Sequence, residues 1–171
     1  MDLSAYLRDV PDFPLPGIIF KDIGPLLADP NAFGSAVEAM ATEFADSGVT
    51  IVAGIEARGF IFGPSIAQWL DAGFAMLRKP GKLPGKTIGV DYDLEYGTDR
   101  LELGAGLLDA KHRVLLVDDV LATGGTMAAA VRLINTAGAK AVGVSVLVEL
   151  SALNGRLRLP DVPISAQLEV N

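Results

Sequence analysis

Residues Val114-Leu-Leu-Val-Asp-Asp-Val-Leu-Ala-Thr-Gly-Gly-Thr-Met127 restrict what this chain can fold into more than any other stretch. Four apolar residues of strand type, Val114 to Val117, run straight into two adjacent acids, Asp118 and Asp119. A Thr-Gly-Gly-Thr turn follows, and then an alanine-rich helical stretch from Met127 to Lys140. A buried strand, a glycine turn and a helix N-terminus in that order build an anion site. Glycines let backbone amides face the ligand, threonines add hydroxyls, and the helix dipole favours negative charge. Gly125 is the glycine expected to admit a phosphate closely, and it is a candidate for positive φ. Asp118 and Asp119 would repel a phosphate placed directly on them. They make sense if they accept hydrogen bonds from sugar hydroxyls or stand beside a metal. The segment therefore reads as a site for phosphate plus ribose. A Gly-Gly pair alone would be ordinary turn chemistry; the order of strand, acid pair and Ala-Thr-Gly-Gly-Thr is what makes it specific.

The flanking sequence predicts the sheet that such a segment needs. Val49–Ile55 is a continuous apolar strand of the kind buried on both faces. Phe74–Leu77, Ala141–Glu149 and Ile164–Leu168 are further strands, with a short one over Arg100–Leu103. Helices are predicted over Leu3–Arg8, over Asn31–Ser47 with Phe33, Val37, Met40 and Phe44 on one face, over Phe60–Asp71 and over Met127–Ala137. Strands alternating with helices give an α/β fold with a mainly parallel twisted sheet flanked by helices, and ligands at the strand carboxyl ends. The 171 residues are expected to form a single domain. Its first thirty residues, rich in Pro and Asp, make a small hood, and residues 81–98 or so make a lid. The lid region is rich in Gly, Pro and Lys, with a partly extended piece, Ile88–Leu94, suited to ribbon pairing.

Charge sets a puzzle for a phosphate-binding chain. The net charge is -7, which argues against nucleic acid or an anionic membrane as partner, so positive charge must be concentrated locally or supplied by a metal. Arg78, Lys79, Lys82 and Lys86 supply that concentration with no acid among them. The apparent P-loop ending Gly85-Lys86-Thr87 fails, because the required upstream glycine position is Pro80 and the flank is extended. With no cysteine, thiolate chemistry is excluded and a cytoplasmic setting is expected. One histidine, His112, cannot build a His-rich metal site. No apolar run approaches bilayer length, and the amino terminus is not expected to be a signal peptide.

The acid pair followed by Thr-Gly-Gly-Thr resembles the signature of the type I phosphoribosyltransferases. Asp12-Phe-Pro-Leu-Pro-Gly-Ile-Ile-Phe-Lys-Asp-Ile23, Arg58-Gly-Phe-Ile-Phe-Gly-Pro64, Arg78-Lys-Pro-Gly-Lys-Leu-Pro84 and Leu94-Glu-Tyr-Gly97 are similar to the adenine-using members of that family. The resemblance runs in order from near residue 6 to about Gly155. It implies transfer of a 5-phosphoribosyl group from phosphoribosyl diphosphate to adenine, giving AMP and pyrophosphate, with Mg²⁺ as cofactor and a homodimer as the assembly.

By the same resemblance, Ala122, Thr123, Gly124, Gly125 and Thr126 hold the 5′-phosphate, and Asp118 and Asp119 contact ribose hydroxyls. Arg58, Lys79 and Lys82 meet pyrophosphate. Glu95 is the catalytic acid or base at adenine. Ile19 and Phe20 hold the base from the hood, with Leu150 on its opposite face. Lys21 stands where many relatives have arginine. It keeps the charge but loses the planar fork, which puts a base contact by that side chain in question and leaves backbone recognition at Ile19 untouched. Mg²⁺ is expected to ride on substrate and water, with no direct side-chain ligand. A competing reading is a regulator that binds phosphoribosyl diphosphate without catalysis; it lacks the basic surface such a protein would bring. A transferase for another purine is the second alternative, disfavoured by the hood and by Leu94-Glu-Tyr-Gly97.

Overall fold

A computed structural model of the chain describes residues 1–93, 97–159 and 161–170. After a 3₁₀ turn at Leu3–Tyr6, strands β1 (Arg8–Pro11) and β2 (Ile19–Asp22) pair antiparallel as the hood ribbon. Helices α1 (Gly24–Ala28) and α2 (Pro30–Thr42) lead into β3 (Ile51–Ile55), α3 (Gly59–Trp69) and β4 (Gly73–Leu77). A second antiparallel ribbon, β5 (Thr87–Asp93) with β6 (Thr98–Gly104), precedes β7 (Arg113–Leu121). Then come α4 (Gly125–Thr136), β8 (Lys140–Leu150), two 3₁₀ turns over Ser151–Leu153 and Gly155–Arg158, and β9 (Ile164–Val170).

The main sheet has five strands in the order β4-β3-β7-β8-β9, every pairing parallel. This is the predicted α/β architecture, and the reason lies in β7. Val114, Leu115, Leu116 and Val117 are all fully buried, and their alternation sends them to opposite faces. Val114 and Leu116 join a core with α4 and the β5–β6 ribbon. Leu115 and Val117 join a core with α2 and α3. Both faces of the central strand are thus covered, as a continuous apolar run demands.

Three boundaries differ from expectation, each for a long-range reason. The signature strand does not stop at Val117. Its pairing with β8 continues through Asp118↔Val146, Val120↔Val148 and Leu121↔Glu149, so both acids lie within the strand. The first helix is only a 3₁₀ turn, because Arg8 already pairs with Asp22 in the hood ribbon. Helix α2 ends at Thr42 rather than Ser47, and the chain tightens into bonds such as Phe44 N–H to Ala41 C=O (3.0 Å) before Gly48 turns it at φ +63°. The carbonyl of Met40, among the last four that a helix leaves open, is taken instead by Ser145 of β8, whose hydroxyl donates to it at 2.8 Å.

Ser145 and Met40 are fully buried, so Ser145→Ala strands a carbonyl away from water. We expect a loss of about 1–3 kcal/mol, read as a Tm roughly 2–4 °C lower for each kcal/mol. An unchanged Tm would show that the bond is not what ties α2 to the sheet.

Candidate active site

The site grows from the carboxyl end of β7. Gly124, at the N-cap of α4, takes a left-handed conformation (φ +80°) and offers no side-chain cap, so the first N–H groups of the helix remain open to a ligand. A Cβ on Gly124 would lie 2.3 Å from the Gly155 carbonyl oxygen, and one on Gly155 would lie 2.3 Å from that of Ala122. Two backbones therefore meet without side chains between them, and the 151–158 turns become the floor under the loop. Gly125 has neither property: its φ is not positive, and the nearest atom to an added Cβ is Arg158 Nη1 at 3.4 Å. The special glycine is thus Gly124, one residue earlier than expected. Gly155 is its partner, hidden in the sequence because only the Asn154-Gly155 turn signal is local. Asp118 and the loop from Ala122 to Thr126 line a small cavity of about 100 Å³, so the predicted phosphate residues and one ribose acid do converge.

Beside the loop stand the acids. Asp119 is buried (2% exposed), with Arg58 Nε 2.9 Å from its Oδ2. The N–H is not aimed at that oxygen, which has no hydrogen-bond partner among the described residues; the contact is one of charge. Asp118 Oδ1 accepts the Asp119 backbone N–H at 2.9 Å. Burial, reinforced by the neighbouring Asp119, pushes the Asp118 carboxyl well above its ordinary range. Burial also raises Asp119, but Arg58 opposes it. Gly59 seats Arg58 there, since a Cβ on Gly59 would lie 2.5 Å from the Val117 carbonyl oxygen.

Arg58 also reaches the hood: its guanidinium carbon lies 5.3 Å from the centre of the Phe20 ring. Phe20 is only half-buried, with Phe13 edge-on at 5.2 Å, so its ring belongs to the mouth of the site rather than to a hood core. Ile19 beside it is 56% exposed. Lys21 turns the other way and pairs across the ribbon with Asp9 at 2.7 Å. Leu150 ends β8 and packs partly buried against the α2–α3 core.

The expected pyrophosphate cations occupy separate places. Arg58 faces the acids, Lys82 is exposed, and Lys79 is engaged by the β5–β6 ribbon, donating to Asp99 and to the Tyr92 hydroxyl (2.8 Å). Glu56, at the end of β3, was not among the expected residues. It receives Arg78 through Nη2 (3.1 Å) and Nε (3.3 Å) and the Lys79 N–H (2.9 Å). Arg78 and that N–H hold its carboxyl below the ordinary range. An acid at a strand end just before Arg-Gly was the signal available; its partner 22 residues on was not. Glu95 lies outside the described residues, between Asp93 and Thr98, the last paired positions of the ribbon.

Residues 26–164 match the phosphoribosyl transferase domain family. The chain is 53% identical to the adenine phosphoribosyltransferase of Thermobifida fusca over 164 residues, 96% of this chain and 93% of that protein. It superposes on the crystal structure of adenine phosphoribosyltransferase from Rhodothermus marinus with a TM-score of 0.93 at 48% identity, covering 98% of this chain and 96% of that one. The Saccharomyces cerevisiae adenine phosphoribosyltransferase, crystallised with an imino-altritol bisphosphate and adenine, matches with a TM-score of 0.93 at 35% identity over 98% of this chain and 97% of that one.

Two outcomes follow from the geometry. Gly124→Ala meets backbone in a left-handed conformation, whereas Gly125→Ala meets only the end of an arginine side chain. AMP affinity measured by calorimetry should therefore fall much further for Gly124→Ala. Equal losses would place the critical backbone elsewhere. The second concerns Asp118, whose folded pKa lies above the ordinary 3.8. From there up through the raised value the folded state binds more protons than the unfolded one, so stability falls as pH rises across that window. Asp118→Asn should melt higher than the parent protein at pH 7, with the gap closing towards pH 4. A gap independent of pH would remove the buried charge as its cause.

Proposed function

The chain belongs to the phosphoribosyl transferase family, and we propose that its site transfers the 5-phosphoribosyl group of phosphoribosyl diphosphate to adenine, giving AMP and pyrophosphate. The observation that carries this reading is the uncapped start of α4, joined by a short loop to the strand that holds Asp118 and Asp119, with Arg58 bridging from Asp119 to the Phe20 ring. A phosphate, a ribose and a flat base each find a matching surface, in the order in which AMP presents them.

In this reading the 5′-phosphate takes the open N–H groups of the 122–126 loop and the Thr123 and Thr126 hydroxyls. The ribose hydroxyls donate to Asp118 and Asp119, and this gives the raised carboxyls a reason to ionise when substrate arrives. Adenine lies against Phe20, with Ile19 supplying backbone groups and Leu150 the opposite apolar face. As its N9 bonds to the sugar carbon, the bond from that carbon to the diphosphate oxygen breaks. The sugar carries positive charge in passing, which the acid pair tolerates, and Arg58 and the lysines at 79 and 82 face the departing negative charge. Glu95 exchanges the proton on the imidazole edge of the base. Residues 81–98 act as the lid that keeps water from the reacting sugar.

Mg²⁺ belongs to this proposal. Among the described residues no three His, Cys, Asp or Glu side chains converge on one point. That donor set suits an ion which keeps much of its own water and binds through substrate oxygens and one or two carboxylates. When bound it would neutralise diphosphate charge, held mainly through substrate oxygens and water, and Asp118 is the carboxylate that lines the loop cavity. A homodimer is proposed as well, supported by exposed apolar residues on α3 and β4 (Ile61, Trp69 and Met76). No helix among the described residues is long and apolar enough to cross a membrane, and a cytoplasmic setting fits a cysteine-free sequence.

Incubation with phosphoribosyl diphosphate, Mg²⁺ and single purines tests the reading. Adenine should give AMP, and hypoxanthine and guanine should react far more slowly. A 6-oxo group reverses the pairing, and each buried group left unpaired costs about 1–3 kcal/mol, roughly one to two decades in rate. Equal rates would refute the assignment of the base. Glu95→Gln should lower the single-turnover rate by about 10²- to 10⁴-fold with little change in affinity for phosphoribosyl diphosphate. A rate matching the parent protein would leave Glu95 without a catalytic role.

A further inference from the structure

Lys79 is anchored at one end and exchangeable at the other. Its backbone N–H is fixed to the Glu56 carboxylate (2.9 Å), which also grips Arg78, so the root of the residue belongs to the rigid carboxyl edge of β3 and β4. Its side chain leaves that edge for the ribbon. There Nζ donates to Tyr92 Oη at 2.8 Å and to Asp99 Oδ2, and Tyr92 Oη donates to the same Oδ2 at 3.2 Å. The ammonium also lies 5.4 Å from the centre of the Tyr92 ring. Tyr92 and Asp99 are opposite one another in the ribbon register, so one lysine side chain holds both strands, next to the backbone bridge that joins Arg78 to Glu102 of β6 (2.9 and 2.7 Å). Tyr92 is buried, while the Lys79 and Asp99 side chains keep 35% and 25% of their exposure, which leaves the ammonium within reach of a second anion.

Burial works against the ammonium, yet its bonds to Asp99 and Tyr92 outweigh that and hold its pKa above the ordinary lysine value. The Lys79 bond in turn holds Asp99 below the usual carboxylate range. Both partners are therefore fully charged at neutral pH. One ammonium cannot give its best geometry to Asp99 and to a diphosphate at the same time.

We propose that Asp99, assisted by Tyr92, is a positioning residue that competes with the diphosphate of the substrate for Lys79, so that diphosphate binding releases the side-chain clasp on Tyr92 and Asp99 while the Arg78–Glu102 backbone bridge stays in place. This rests on the reading of Lys79 as a pyrophosphate contact and adds to it what the side chain must give up. The choice of residue suits the task. A lysine ammonium on a flexible four-carbon stem can swap anions, whereas the Arg78 fork is locked on Glu56 by planar geometry. The ribbon carries residues 94–97 between its strands, so the cation that meets the leaving group is also the one that tethers the strands flanking Glu95. By linkage, whatever weakens the tether must strengthen the binding of the ligand that breaks it.

The test is calorimetric titration of phosphoribosyl diphosphate with Mg²⁺ into the full chain and its Asp99→Asn, Lys79→Met and double variants, with circular dichroism confirming the fold. Asp99→Asn should bind phosphoribosyl diphosphate roughly two- to fivefold more tightly, the scale of a partly exposed ion pair. AMP, which lacks the diphosphate, should bind as before. Tyr92→Phe should shift affinity in the same direction by less, and it serves if Asp99→Asn fails to fold. In the Lys79→Met background, Asp99→Asn should change nothing. Unchanged or weaker binding by Asp99→Asn overturns the competition, as does tightening that survives without Lys79 or extends equally to AMP. If Lys79→Met alone leaves phosphoribosyl diphosphate affinity intact, the pyrophosphate role of Lys79 is what fails, a result distinct from failure of the clasp.

Discussion

Everything at the site depends on β7 remaining paired in the sheet for nine residues. Had the strand ended with its apolar run, Asp118 and Asp119 would sit on a loop and relax towards water. Pairing with β8 through Leu121 instead holds the acids on a rigid strand, where their pKa values are raised, and it aims the next residues at the backbone contact between Gly124 and Gly155. The desolvation of two adjacent carboxyls works against folding. It is tolerated because Arg58 sits against one of them. Charged groups held away from water by strands are far better placed to meet a sugar than the same groups on a mobile turn.

A chain with net charge -7 handles a polyanionic substrate by giving three of the cations near the site an internal partner in advance. Arg58 is set against Asp119, Arg78 on Glu56 and Lys79 on Asp99. Lys21 is spent within the hood on Asp9. These pairs differ in permanence. The Arg78 fork takes both oxygens of Glu56 and braces the sheet edge, while Arg58 touches its acid without an aligned hydrogen bond and is the readier to turn. Orienting cations before a ligand arrives reduces what must be ordered on binding.

How much of this could be read beforehand depended on whether the signal was local. The apolar run of β7, the turn glycines and the amphipathic face of α2 with Val37 and Met40 were all visible, because their periodicity and turn chemistry are written in consecutive residues. So were the parallel sheet and the ribbon over Ile88 onwards. What escaped were partnerships across the chain. The length of β7 is decided by β8, the end of α2 by Ser145, the demand on Gly124 by Gly155, and the roles of Glu56 and Lys79 by residues about twenty positions away. Lys21 illustrates the same limit: its departure from the relatives' arginine was plain, but its engagement with Asp9 required the hood register.

The bare start of α4 carries a consequence for the protein's life rather than for its chemistry. A twelve-residue helix whose leading N–H groups lack a cap, next to the buried carboxyl of Asp119, is a fold left incomplete at one corner. In the function proposed for this site a phosphate and a sugar would finish it, and any ligand that prefers the folded form stabilises it in proportion to the logarithm of its concentration. On that proposal the nucleotide is the last piece of the tertiary structure. The resistance of this chain to unfolding and proteolysis becomes a gauge of how much substrate or product surrounds it.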